Sequence, residues 1–513
     1  MSTAAKAAEP QGVEAFYAHV TNVSDFIWGG TWNGASVLPF PPMVIILLGI
    51  GLWMMIGLRF YPILKLGSAF VGLFKKEEGA EGKGEISPFA ALSTALSGQV
   101  GTGNLAGVAT AITLGGPGAL FWMWITALIG MALAFAEGSL AIRFRDVDEN
   151  GEYRGGPMSY IMRGLGKKWG WLAVLFCIGT LFSSVATGNM IQANSIADSI
   201  QALTGLEEWI GGLIVAAVVF AVIIGGIKSI GRVAEAVVPV MALAYIVMAV
   251  LALILNFSDL PATFVLIFDS AFTGQAATGG FVGAGIMLAI RAGVARGLFS
   301  NEAGQGSTPM AHAVAKTNDP ARQGRFAMMG TFIDTIVICT ATGLVLLTVQ
   351  GQFPAVVNGV TQMQEHVWSS DLRGFEMTLA AFSAAFPLKV FGATTIGGLV
   401  ASVALILFVF TTLITWSYYG ERAATFLFGK WAAIPWRLLW VGMIFVGAFQ
   451  HIEFVWRLGD IANAAMALPN LIALAALSGV VFALARGDRL AGKDHGEVAE
   501  GALPGEAPPE EKA

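Results

Sequence analysis

The sequence predicts an all-α polytopic membrane protein of eleven transmembrane helices: one extra N-terminal span, then a 5+5 inverted repeat whose first helices are broken. Three observations lead there. Of its 513 residues, 56% are hydrophobic and only 12% charged. Apolar runs recur at the length that crosses a bilayer, about 20 residues each. Two of these runs carry glycine interruptions, GQVGTGN from Gly98 to Asn104 and TGGFVGAGIMLAIRAG from Thr278 to Gly293.

In order, the expected spans are 42–60, 88–112, 117–143, 170–201, 210–227, 233–255, 275–298, 326–349, 393–418, 433–449 and 465–486. The first follows a segment, 1–41, without the basic start of a cleavable signal peptide. The fourth is long enough to tilt. Residues 88–255 hold one group of five spans and 275–486 the other. The stretch 350–392, rich in Gly, Pro and aromatics, is expected as an external loop and candidate lid, and 487–513 as a disordered cytoplasmic tail.

Orientation follows from the short loops, because Lys and Arg are retained on the cytoplasmic side. Lys65, Lys75, Lys76 and Lys83 follow the first span. Arg145, Arg154, Arg163, Lys167 and Lys168 follow the third, and Lys228 with Arg232 the fifth. Lys316, Arg322 and Arg325 follow the seventh, and Arg422, Lys430 and Arg437 the ninth. Every second loop is basic, so the N-terminus is expected outside and the C-terminus in the cytoplasm, in a bacterial-type cytoplasmic (inner) membrane. The net charge of -5 argues for no nucleic-acid partner, and no required protein partner is evident. The 2 cysteines, Cys177 and Cys339, read as free buried thiols.

Non-helical backbone at membrane depth survives only where protein or a water-filled cavity satisfies it. Gly98, Gly101 and Gly103 can break the helix where Gln99, Thr102 and Asn104 supply amides and oxygens. An odd group size forces opposite orientations on the two groups. Glycine-interrupted segments in matching positions then point to an inverted-repeat transporter with its site near the midplane. For Thr278–Gly293 alone, close helix packing explains the glycines equally well.

GQVGTGNLAGVATAITLGGPGALFWMW from Gly98 to Trp124, GLFSNEAGQGSTPMAHA from Gly297 to Ala313 and FTTLITWSYYGERA from Phe410 to Ala423 resemble the alanine/glycine:cation symporter family, the sodium:alanine symporters. The resemblance implies the leucine-transporter fold. It also implies secondary uptake of a small neutral amino acid, alanine or glycine, driven by Na⁺ and in some members by H⁺, with no organic cofactor.

The chemistry of the residues fits that assignment. Freed N–H groups at a half-helix start bind a carboxylate with help from the helix dipole, and here they are those of Thr102, Gly103 and Asn104. By similarity to the fold, the Val100 carbonyl with Thr411 and Thr412 forms one sodium site, and Asn104 belongs to a second. Thr412 and Trp416 share one helical face, offering a hydroxyl and an aromatic wall to one cavity. Asn189, Gln192 and Ser195 form a polar stripe, Gln192 being the first candidate for substrate. Interhelical hydrogen bonding is the alternative for that stripe. Phe281, Gly283, Gly285 and Met287 are expected to close the side-chain end of the pocket.

Glu137, Asp198 and Asp334 are carboxylates within the spans, expected in structural pairs, with proton relay as the alternative. The SNEAGQG motif, Ser300–Gly306, is expected on the cytoplasmic side, where Glu302 pairs with Arg291 or Arg296 as an inner gate or simply forms a capped turn. Other classes fare poorly. The 5 histidines fall at ends or in loops, against a membrane-embedded enzyme, and no GxxxxGK[ST] supports a pump. An H⁺-coupled symporter and a channel remain as alternatives.

Overall fold

The computed structural model describes residues 12–38, 40–73, 83–147, 151–273, 282–357, 360–392, 394–449 and 452–495. The chain is mostly helical. Helix α1 (Val13–Gly29) precedes α2 (Pro42–Gly57) and α3 (Tyr61–Leu73), a pair bent by 74°. At that bend Arg59 and Phe60 take left-handed φ values of 53° and 59°. Next come α4 (Pro88–Gln99), α5 (Gly103–Gly115), α6 (Gly118–Arg143), α7 (Lys167–Thr204), α8 (Glu208–Ile223), α9 (Gly226–Leu255) and α10 (Leu260–Thr273). The second half contains α11 (Val282–Asn301), α12 (Thr308–His312), α13 (Pro320–Thr348), α14 (Gly374–Ala385), α15 (Ile396–Phe428), α16 (Ala433–Gly447), α17 (Ile452–Ala476) and α18 (Ser478–Ala485).

Among the described residues, 6 helices are long and apolar enough to cross a membrane, or up to 7 if the bent pair is one span. That is fewer than the eleven expected from hydropathy. The difference lies in the broken and short elements: α5 and α8 fall below spanning length, as short apolar helices. The last long helix begins at Ile452, well before the expected 465, because Arg457 and Asp460 depress its hydropathy while both find partners in the fold.

Local chemistry sets the ends that matter. Ser87 caps α4, its hydroxyl accepting from the Ala90 amide at 2.9 Å, with Pro88 in the first turn. Helix α4 stops at Val100, whose backbone is extended. Helix α11 runs unbroken through Gly283, Gly285, Met287 and Gly293 and stops at Asn301. Glu302, Gly304 and Gly306 then take φ values of 56°, 84° and 90°, a backbone that two of the three reach without a Cβ penalty.

The second break is therefore at SNEAGQG, and the expected break at Thr278–Gly293 is corrected over Val282–Gly293, which is helical; residues 278–281 lie outside the described residues. Two glycines of α11, Gly293 and Gly297, serve packing. A Cβ on Gly293 would lie 2.5 Å from the Ala119 carbonyl oxygen, and one on Gly297 would lie 3.2 Å from Thr126.

The two breaks sit against each other, with Gln99 Nε2 donating to the Asn301 carbonyl at 2.5 Å. On the side away from α1, the strand-like segment before α4 pairs with the segment after α12. Glu85 N donates to Val314 O at 2.8 Å and Lys316 N to Ile86 O at 2.8 Å, and Arg145 braces the joint by donating to the carbonyls of Ala315 and Thr317. Over the other side, Gln350–Val357 and Val360–His366 pair as antiparallel strands. Helix α14 there reaches α5, Thr378 donating to the Leu105 carbonyl at 3.1 Å. The start of the expected disordered tail is tied down: Arg143 donates to the carbonyls of Leu490, Ala491 and Gly492, and Arg163 pairs with Asp494.

Candidate substrate and cation site

Where the breaks meet, a small buried pocket is lined by Gly98, Gln99, Gly101, Gly103, Thr187, Gln192, Phe299, Glu302, Gln305, Thr412, Trp416 and Asn463. Its volume is about 10 Å³, room for about one water. The backbone approach is tight, since a Cβ on Gly101 would lie 2.6 Å from Thr412 Oγ1 and 3.0 Å from Gln192 Oε1. A Cβ on Gly103 would lie 3.1 Å from both Phe299 and the Ser300 backbone. These glycines bring the start of α5 against α11 and α15.

Of the N–H groups expected to hold a carboxylate, that of Thr102 takes a side-chain oxygen and that of Asn104 a backbone carbonyl. Thr102 N donates to Gln192 Oε1 at 3.2 Å, and Gly101 N to Asn104 Oδ1 at 2.9 Å. The Asn104 amide turns back to the Gly101 carbonyl at 3.3 Å. Of the polar stripe on α7, only Gln192 reaches the pocket: Asn189 donates to the Trp440 carbonyl and Ser195 to its own helix at Ile191. Asn189 therefore makes an interhelical hydrogen bond, whereas Ser195 bonds within its own helix.

Thr412 Oγ1 lies 3.1 Å from the Val100 carbonyl oxygen and 3.0 Å from that of Phe408. Ser97 and Thr415 hydroxyls meet a helical turn away. Thr411 points elsewhere, its hydroxyl bonding Phe408 O at 2.9 Å and facing the Met241 sulfur at 3.7 Å. The hydroxyl of Thr412, and not that of Thr411, thus joins Val100.

Asn104 donates to Asp334 Oδ1 at 2.6 Å, and Asp334 Oδ2 accepts from Ser300 at 2.8 Å and Thr335 at 2.7 Å. Asp334 is fully buried, and among the described residues no cation forms an ion pair with it. The expected structural pair with a basic loop is replaced by this hydroxyl and amide cluster. Glu137, likewise, does not pair with Arg143. Its Oε1 accepts from Asn470 Nδ2 at 2.7 Å, and the same nitrogen donates to the Gly304 carbonyl at 3.0 Å. The Asn470 oxygen accepts from Tyr160. This relay holds the α11–α12 break from behind. Asp198 is exposed near the end of α7.

The expected gate is rearranged. Glu302 accepts from Trp416 Nε1 at 2.8 Å and from Ser307 Oγ at 2.5 Å; it bonds neither arginine. Arg296 pairs with Asp460 at 2.6 Å, both side chains mostly buried, and Arg291 pairs with Asp25 of α1, which Arg457 also reaches at 2.9 Å. These pairs line a cavity of about 720 Å³ on the α1 side. Between it and the pocket, Phe299 packs against Trp456 in a tilted pair with centroids 4.8 Å apart.

Of the α11 residues expected to close the pocket, Phe281 lies outside the described residues. Gly283, Gly285 and Met287 lie three or more turns before the break and do not line the pocket; Met287 is 36% exposed. Phe299, Glu302 and Gln305 take their place. Sequence reasoning missed Gln305, Asn463, Phe299 and Asp460. The Glu-x-Gly-x-Gly spacing inside SNEAGQG was the signal for the first.

Residues 25–495 match the model of the sodium:alanine symporter family. The chain belongs to that family. It is 42% identical over 473 residues to the sodium/alanine symporter AgcS of Methanococcus maripaludis, covering 91% of this chain and 96% of that protein. It is 36% identical over 456 residues to the probable sodium/glutamine symporter GlnT of Bacillus subtilis, covering 88% and 89%. The crystal structure of MhsT in complex with L-phenylalanine matches with a TM-score of 0.53 at 14% identity, over 79% of this chain and 90% of that one. That likeness shows the fold, of the leucine-transporter type. This sodium:alanine symporter family member is a multi-pass membrane protein, and its family is one of transporters.

Proposed function

We propose that the chain is a Na⁺-coupled symporter carrying a small neutral amino acid, alanine or glycine, across a bacterial-type cytoplasmic membrane by alternating access. One observation carries the reading: Gly101 and Gly103 at the start of α5 and Thr412 line one buried pocket, and the Thr412 hydroxyl there joins the Val100 carbonyl. An amino-acid carboxylate replaces Gln192 Oε1 on the Thr102 amide, aided by the Gly103 amide and the positive end of the α5 dipole. Sodium, a hard cation, takes the Val100 carbonyl and the Thr412 hydroxyl. A second cation, Na⁺ or in the alternative reading H⁺, is taken at Asn104, Ser300 and Asp334. Phe299 and Trp416 leave little room, so only a small side chain fits once Gln192 and Phe299 move.

In this reading the eleven spans are α2; then α4–α5, α6, α7, α8 and α9; then α11–α12, α13, α15, α16 and α17. The N-terminus faces out and the C-terminus the cytoplasm. Arg296–Asp460 and the Phe299–Trp456 pair close the outer path, and the 84–87 and 313–317 pairing closes the inner one. Alternating access opens them in turn around the fixed breaks.

Radiolabelled alanine uptake into proteoliposomes, with Na⁺, Li⁺ and H⁺ gradients imposed separately, tests the reading. Saturable uptake driven by Na⁺ alone is expected. Uptake driven only by H⁺ would move the coupling to the alternative, and flux indifferent to every gradient would sink symport altogether.

A further inference from the structure

The pocket wall opposite the α5 start carries a carboxylate with no counter-cation. Glu302 is 1% exposed, lines the pocket, and accepts only from the neutral donors Trp416 Nε1 and Ser307 Oγ. Among the described residues no Lys, Arg or His forms an ion pair with it; the nearest arginine in sequence, Arg296, is taken by Asp460. A buried carboxylate is strongly disfavoured unless a cation or further donors reach it, and it has lone pairs for more than two bonds. Beside it on the same turn, Gln305 lines the pocket, anchored through Nε2 to Asn463 at 2.8 Å and Ser183 at 3.2 Å. The Oε1 of Gln305 is buried and has no hydrogen-bond donor. An amide oxygen without a donor and a carboxylate without a counter-cation therefore share one wall.

The geometry points to Glu302, with the side-chain oxygen of Gln305, as the group that binds the substrate's ammonium. The assignment rests on the symporter reading and deepens it. A zwitterion then lies across the pocket with its carboxylate on the positive start of α5 and its ammonium on the α11–α12 break. An ammonium offers three N–H donors, which match carboxylate and amide oxygens, and a charged donor makes the stronger bond. The left-handed φ of 56° at Glu302 is what turns its side chain back into the pocket instead of continuing the face of α11.

This makes the break a selector for amines. Propionate and L-lactate present the same carboxylate and nearly the same bulk as alanine without the ammonium, and they leave Glu302 unpaired.

The test is competition against radiolabelled alanine in Na⁺-loaded detergent or liposome preparations, using glycine, L-lactate and propionate, on wild type and on E302Q. Wild type is expected to prefer alanine over lactate by about 100-fold or more, since a site built around a polar partner rejects the analogue lacking it. E302Q is expected to lose about 10–100-fold in alanine affinity, the worth of a hydrogen bond to a charged group, and to narrow the alanine-to-lactate ratio by a similar factor. Sodium binding, read as Na⁺-dependent quenching of tryptophan fluorescence, stays within about twofold of wild type.

Should E302Q fail to reach the membrane, Q305L on the Glu302 background decides, with a smaller loss of alanine affinity and the same narrowing. Wild type binding lactate as well as alanine, or E302Q retaining alanine affinity, overturns the ammonium assignment while Na⁺-driven alanine uptake by wild type leaves the symporter reading standing. Absence of any Na⁺-dependent amino-acid binding to wild type brings down both.

Discussion

The break between α4 and α5 and the break between α11 and α12 face one pocket but are built from different materials. The first offers backbone: Gly101 and Gly103 leave no room for a Cβ against Thr412, Gln192 and Phe299, and its freed groups are satisfied by neighbours within the site, Asn104 and Gln192. The second offers side chains, Glu302 and Gln305, on a left-handed backbone held from outside the pocket by Asn470 and Glu137. A backbone site tolerates little bulk and is indifferent to functional groups. A side-chain site is the reverse, and it depends on remote scaffolding.

The comparison can be broken most directly by bulk. Gly103→Phe pushes against Phe299 and the Ser300 backbone, and overpacking costs about 1–3 kcal/mol, so alanine affinity is expected to fall about 10–100-fold while the protein remains in the membrane. Retained affinity would remove the backbone cradle.

Next in size is the scaffold. Asn470→Ala strips donors from Glu137 and the Gly304 carbonyl, each buried group left without a partner costing about 1–3 kcal/mol. The melting temperature in detergent should fall by several degrees and uptake with it. An unchanged melting temperature would show the second break to be self-supporting.

A smaller, sharper effect separates neighbouring threonines. Thr412→Ala should raise the Na⁺ concentration for half-maximal uptake about tenfold, the equivalent of about 1.4 kcal/mol. Thr411→Val should leave it within about twofold, since its hydroxyl faces Met241 and not Val100. Equal effects would put both hydroxyls on the ion.

The smallest effect lies outside the long apolar helices, where the segment before α4 joins the segment after α12. Burial pushes the Glu85 carboxyl above its ordinary value, against a hydrogen bond from the Tyr153 amide that lowers it. A raised carboxyl favours the folded state while protonated, and that contribution is lost as pH rises through the folded value. Glu85→Gln keeps the acceptor and removes the charge. Its melting temperature should exceed that of wild type slightly at pH 8, with the gap closing towards pH 4.5; a gap independent of pH would contradict this account.

Much of the first break was legible in the sequence. Glycines separated by amide and hydroxyl residues inside an apolar run have few other uses at membrane depth, and of the residues expected at the site the structure brings Gly103, Gln192, Thr412 and Trp416 to one pocket. The second break was misplaced because the hydropathy of SNEAGQG resembles that of a connecting loop, while the glycines from 278 to 293 resemble an interruption. Their spacing suits helix packing just as well, and at Gly293 the close approach of Ala119 decided for packing. Arg291 and Arg296 precede Glu302 on the chain, which suggested pairing. Helix direction carries them away from it, towards Asp25 and Asp460, residues 266 and 164 positions distant.

By itself the sequence determined the solvent of this protein, its family and the residue types of one half of the site, because bilayer burial and freed backbone each leave a local signature. Tertiary structure alone decided which carboxylate meets which partner. Ion pairs and pocket walls join helices far apart in sequence, and the low dielectric that makes an unpaired charge costly acts through space, without regard to position along the chain.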